Sequence, residues 1–134
     1  MKPAEIDRLP FADHMSIQFL EVADGRAELE CATGPEHANS RGVLHGGVLT
    51  SLIDMAAGAA VAYQPSVNGS PVVTVSLTVN FIRAGRVGDR LRATGRRRGG
   101  KRLITCDVEV TDQEGELVAC GIATLKVLKR ATSS

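Results

Sequence analysis

Tryptophan is absent from this 134-residue chain, and it has one tyrosine and three phenylalanines. An aromatic content of 3% offers little stacking surface, which disfavours a site dedicated to aryl groups, although an aliphatic pocket can still hold a phenyl ring. An excess of either charge is missing too. Sixteen Lys and Arg against fifteen Asp and Glu leave a net charge of +1, whereas a general nucleic-acid binder is strongly basic. No apolar stretch reaches the roughly 18–20 uncharged residues of a bilayer span, so no membrane partner is expected. The opening M-K-P-A-E-I-D-R carries acids and no apolar core, so no secretory signal is expected. Cys31, Cys106 and Cys120 are odd in number and lack CxxC spacing. They are expected to be reduced, buried thiols of a cytoplasmic protein. No metal site is expected either, since His14 and His37 stand at no ligand spacing from His45.

What is present fits a single domain over 1–134: 43% hydrophobic and 23% charged residues are ordinary for a globular chain. Residues 3–9 are expected to form a helical turn or two, with Pro3 in the first turn. Ile17–Val22 and Arg26–Thr33 read as strands around A-D-G-R, where Gly25 supplies a positive φ. Residues 34–43 read as a loop, and Asn68-Gly69-Ser70-Pro71 as another. From Val73 to Phe81 apolar and polar residues alternate, which predicts a strand with Thr74 on its non-aliphatic side. Arg90–Arg97, Leu103–Thr111 and Leu117–Leu128 are the remaining strands, separated by R98-G-G-K101 and D112-Q-E-G-E116, and residues 131–134 read as a frayed tail.

Between the second and third strands runs N39-S-R-G-V-L-H-G-G-V-L-T-S-L-I-D54-M-A-A-G-A-A-V-A62. It predicts one long helix from the glycine pair to about Tyr63. The run is apolar apart from Thr50, Ser51, Asp54 and Gly58, so protein must surround it. An antiparallel sheet of about six strands wrapped around the helix meets that need, giving an α+β fold. One layer cannot cover the helix completely, so dimerisation is expected. Burying Asp54 there without a partner would be costly, and its retention marks it as the first candidate for chemistry. Gly58 and its neighbouring alanines read as helix-packing positions.

The order of elements, with N39-x6-G46-G47-x6-D54, resembles the hotdog-fold acyl-CoA thioesterases of the phenylacetic-acid-degradation (PaaI-like) type. The resemblance covers roughly residues 12–128. It implies hydrolysis of acyl-CoA or aryl-CoA thioesters to free acid and CoA, with no metal or organic cofactor, since coenzyme A is part of the substrate. It also implies a homodimer with active sites at the dimer interface, commonly paired into a homotetramer. By the same resemblance Gly46 presents its N–H to the thioester carbonyl and Asp54 serves as general base or nucleophile. Asn39 helps place water or substrate, and Thr74 assists the carboxylate.

These roles have physical reasons. A helix N-terminal N–H stabilises the oxyanion that forms during attack on a thioester, and glycines at 46 and 47 admit close approach. A carboxylate can take a proton from water. His45 either orients substrate or holds backbone, the structural role being favoured. Residues 83–102 hold nine Lys or Arg and one acid, whereas residues 1–60 hold four and nine. Arg83, Arg86, Arg97, Arg98, Lys101 and Arg102 are therefore candidates for the CoA phosphates, with a solvated face as the alternative. Gly46 and Asp54 stand eight residues apart, about 12 Å along a helix at ~1.5 Å per residue. One thioester carbon cannot touch both, so Asn39 and Gly46 of one chain are expected to face Asp54 and Thr74 of another. An acyl-thioester hydratase of the same fold and a non-catalytic acyl-CoA-binding or regulatory module are the alternative readings.

Overall fold

The computed structural model describes residues 9–67 and 69–129. The turn expected at residues 3–9 lies, apart from Leu9, outside the described residues, as does the tail at 131–134. A short helix that the sequence reading did not anticipate, α1 (Pro10–His14), opens the chain, with Pro10 in its first turn. Strands β1 (Ile17–Ala23) and β2 (Arg26–Ala32) follow, joined by a turn in which Gly25 has φ 73°. The loop at residues 34–43 contains a 3-10 turn (Pro35–His37). The long helix α2 (Gly46–Ala62) lies where the apolar run predicts it. Then come β3 (Val72–Phe81), β4 (Arg90–Gly99), β5 (Leu103–Thr111) and β6 (Leu117–Val127).

All six strands form one sheet in the order β1-β2-β4-β5-β6-β3, and every neighbouring pair is antiparallel. Helix α2 touches each of the six strands. The expected α+β arrangement of one sheet around one long helix is therefore the observed fold. Leu52, Ile53, Ala56, Ala57, Ala60 and Val61 are fully buried against Leu29, Leu91, Val108, Val110 and Leu125 of the sheet. Gly95 in β4 permits this close packing, because a Cβ there would stand 2.6 Å from the Ala56 carbonyl oxygen.

The sheet leaves a stripe of α2 partly open. Gly47 is exposed, and Ser51, Asp54, Met55, Gly58 and Ala62 are half-buried, at spacings of about one helical turn. At the sheet edge, β3 exposes most of its length, including Val73, Val75 and Phe81. Thr74 pairs with Leu125 and Ser76 with Thr124, so Val75 is an extra residue, a β-bulge. That bulge corrects the simple alternation. Leu77 and Val79 oppose Ala123 and Gly121, and Thr74 opposes the buried Leu125. The phase change thus places Thr74 on the helix-facing side together with Leu77 and Val79.

The three cysteines are free. Cys31 and Cys106 are buried, and burial pushes each thiol up to about 11; nearby Glu36 adds to the shift at Cys31. Cys120 departs from the expectation of burial, being half-exposed on the sheet.

Candidate active site

The site begins at the start of α2. His45 is the N-cap, with φ −65° and ψ 136°, and its Nδ1 accepts the Gly47 N–H at 2.8 Å. An imidazole here does what Ser or Asp does at other helix starts. Gly46 is the first helical residue, so its N–H has no partner within the helix, and no hydrogen bond holds it among the described residues. Of the two glycine N–H groups, Gly46 is therefore the one left to meet a ligand. Phe81 borders Gly46, since a Cβ there would stand 3.2 Å from its ring.

The preceding loop is tied at two points. Asn39 Oδ1 accepts the N–H groups of Arg41 at 2.9 Å and Val43 at 3.2 Å, an Asx-type turn. With the oxygen committed, only the carboxamide NH2 remains to donate to a ligand. His37 is buried; its Nδ1 accepts the Gly34 N–H at 2.9 Å and its Nε2 stands 2.8 Å from the Met15 carbonyl. The His37 carbonyl accepts the His45 N–H at 2.8 Å. His37 thus connects α1, the loop and the helix start. The sequence reading passed over it, because a lone histidine two residues before Asn39 carries no ligand spacing.

The second group lies eight residues along the helix. Asp54 is half-buried on the open stripe, and Thr74 Oγ1 donates to its Oδ1 at 2.6 Å. The carboxylate expected to be buried alone is thus neither fully buried nor without a partner. A pocket of about 290 Å³ adjoins this pair, lined also by Met55, Gly58, Val72 and Tyr63. The structure therefore forms two clusters: Asn39, His45, Gly46 and Gly47 at the helix start, and Asp54 with Thr74 beside the pocket. Along one helix they stay about 12 Å apart.

Of the basic residues, Arg86 lies nearest the helix start, its backbone bridged to Val43 in the Asn39–His45 loop. Arg83 lies just beyond β3 and pairs with the buried Asp112 in the β5–β6 turn. Arg97 donates to the Gly100 carbonyl and Arg98 to Asp107, both near the β4–β5 turn where Lys101 is exposed. Burial pushes the Asp112 carboxyl up, but the N–H groups of Glu116 and Glu114 and the Arg83 guanidinium outweigh it. The net result holds Asp112 below the usual carboxylate range. Asp112, Glu114 and Glu116 offer ligand atoms within 4.8 Å of one another. Asp112 Oδ1 already serves the turn by accepting both N–H groups, at 2.9 and 3.0 Å.

Comparison with known proteins places this geometry in a family. The chain matches the family model of the thioesterase superfamily over residues 41–119, more than half of its length. The acyl-coenzyme A thioesterase PaaI of Escherichia coli is 31% identical over 109 residues, covering 81% of this chain and 75% of that protein. The solved structure of E. coli PaaI has a TM-score of 0.78 at 29% identity and covers 86% of each chain. Zebrafish thioesterase superfamily member 2 has a TM-score of 0.78 at 28% identity, covering 90% of this chain and 88% of the other. The chain thus belongs to the thioesterase superfamily, as a hotdog-fold thioesterase of the PaaI type.

Proposed function

We propose that the protein hydrolyses acyl-CoA or aryl-CoA thioesters to the free acid and CoA. The 2.6 Å Thr74–Asp54 hydrogen bond beside an apolar pocket carries this reading. It gives a carboxylate with a fixed orientation, one oxygen bonded and the other left for water or substrate. The unpaired Gly46 N–H supplies the complementary half, a donor at a helix N-terminus for the carbonyl oxygen.

In the proposed reaction, a water oxygen bonds to the thioester carbon while Asp54 takes a water proton. The tetrahedral intermediate then collapses, the C–S bond breaks, and the proton passes to the departing thiolate. In the covalent variant Asp54 itself attacks, CoA thiolate leaves, and water hydrolyses the resulting anhydride. Because the two clusters are separated along one helix, each site combines Asn39 and Gly46 of one subunit with Asp54 and Thr74 of the partner subunit. A homodimer is then the minimal active unit, with pairing of dimers into a tetramer as the proposed assembly. No resident metal or cofactor enters these steps, and a cytoplasmic setting suits the CoA substrate.

For the CoA phosphates, Arg86, Lys101 and Arg102 are the most available of the proposed cations, being exposed with no side-chain hydrogen bond or ion pair among the described residues. Arg97 and Arg98 would have to share their guanidinium groups with Gly100 and Asp107. Arg83 is the weakest candidate because it already balances the buried Asp112.

Thiol release from a panel of CoA esters, by wild type and Asp54→Ala, tests the reading. Wild type is expected to turn over at least one ester, and the variant to lose at least a thousandfold in kcat with its fold intact. An inactive wild type, or a fully active variant, overturns it. A single turnover in labelled water separates the two routes, since only the anhydride path can place the label in Asp54.

A further inference from the structure

A glycine in the interior of a helix is destabilising relative to alanine, because it loses more backbone freedom on folding. Helix α2 contains such a glycine, Gly58, among alanines. Elsewhere in this fold a glycine is explained by close packing: a Cβ at Gly95 would collide with the Ala56 backbone. At Gly58 a Cβ would meet nothing within 4 Å. The packing role that the sequence suggests for Gly58 therefore has no partner among the described residues. Instead, Gly58 lines the 290 Å³ pocket that Asp54 and Thr74 border.

We propose that Gly58 is a specificity-determining residue, and that the room left by its missing side chain receives the acyl or aryl group of the substrate. This rests on the reading of Asp54 as the group that acts on the thioester. Gly58 follows Asp54 by one turn, on the same open stripe, about 6 Å along the axis. An acyl group whose carbonyl sits at Asp54 and whose tail runs toward the C-terminus of α2 meets Gly58 first and Ala62 next. Apart from Asp54, Thr74 and the tyrosine hydroxyl, the lining is apolar, with Met55, Val72 and Leu125 among it. Such a lining favours uncharged acyl groups over dicarboxylic ones. The class that fits is an uncharged thioester whose acyl group is long enough to reach Gly58.

Gly58→Ala and Gly58→Leu test this directly, because the added Cβ meets nothing within 4 Å and the longer leucine extends from it. Turnover of acetyl-, octanoyl-, phenylacetyl- and palmitoyl-CoA is compared with wild type, alongside Tm and oligomeric state. Wild type is expected to prefer the octanoyl, phenylacetyl or palmitoyl ester to the acetyl ester. Gly58→Ala is expected to reduce kcat/KM for those esters about tenfold more than for acetyl-CoA, and Gly58→Leu about a hundredfold more. The Tm of Gly58→Ala is expected to rise by about 2–5 °C. An equal loss on every ester, an unchanged profile, or dissociation of the oligomer overturns the proposal while leaving the thioesterase reading intact. A wild type that hydrolyses no ester instead overturns that reading.

Discussion

Thr74 Oγ1 stands 2.6 Å from Asp54 Oδ1, and a bulge at Val75 is what puts it there. Without the extra residue, Thr74 would share its face with Ser76 and point away from the helix. With it, the hydroxyl faces α2 together with Leu77 and Val79. The contact lies in the short range of hydrogen bonds to a carboxylate. It fixes which carboxylate oxygen is bonded and which remains open.

Thr74→Val keeps the shape of the side chain and removes the donor. A hydrogen bond to a charged group contributes about 1.5–3 kcal/mol, so kcat is expected to fall on the order of 10–100-fold. Thr74→Ser restores the donor and is expected to recover most of the rate. Steady-state kinetics of both variants decide the matter, and a fully active Thr74→Val would show that Asp54 needs no orienting partner.

Most of the architecture was legible because its signals are periodic. Apolar character on nearly every face of residues 48–62 required surrounding protein, and alternation in the other segments supplied the sheet. The site was only partly legible. Its residue types stood out in the glycine pair and the isolated carboxylate, but the bulge that aims Thr74 leaves no mark on the alternation of Val73–Phe81. Gly58 is ambiguous for a related reason: sequence shows that a side chain is missing, not what occupies the gap. The guanidinium groups of the basic segment were equally hidden, since the partners of Arg83 and Arg98 lie 29 and 9 residues away in the chain.

Gly46→Pro tests a shared site, with Gly46→Ala as the control for the Phe81 ring that either Cβ would meet at 3.2 Å. Proline is well tolerated at the first helical position, where the N–H has no helical partner. His45, at φ −65° and ψ 136°, already has the extended conformation required before proline. The variant is expected to fold and to lose activity with the N–H. Co-expression with Asp54→Ala then yields mixed dimers in which one of two sites regains both groups. Random pairing predicts about a quarter of wild-type activity per subunit. Two inactive variants that stay inactive together, despite demonstrated mixed dimers, would place the whole site within one chain.

Acid stability should report on Asp112. The folded state holds its carboxyl below the usual value, which is about 3.9 for aspartate. As pH falls, the unfolded chain therefore takes up this proton first. The stability it contributes is complete above pH ~4 and is lost as pH falls through the lower folded-state value. Asp112→Asn is expected to flatten that part of the stability curve and to release Arg83. Denaturant melts of both proteins between neutral pH and pH 3 measure the difference, and parallel curves would remove Asp112 from the acid response.

His37 is expected to control the helix start from a distance. Its ring joins the Gly34 N–H to the Met15 carbonyl, and its own carbonyl holds the His45 N–H. His37→Ala would leave the Gly34 N–H unpaired, leave the Met15 carbonyl with only the Cys31 thiol at 3.5 Å, and open a cavity, at a cost of roughly 2–4 kcal/mol. His37→Gln carries an acceptor and a donor on one planar group, so it is expected to recover part of that loss. Because the loop between residues 37 and 45 also carries Asn39, the alanine variant should lose kcat as well as stability, and the glutamine variant should recover both together. Unfolding in urea and kinetics well below the lowered Tm provide the two readouts. Lost stability with unchanged kcat would reduce His37 to a packing residue, and unchanged stability would show that the loop is held by other contacts, such as the Asn39 turn.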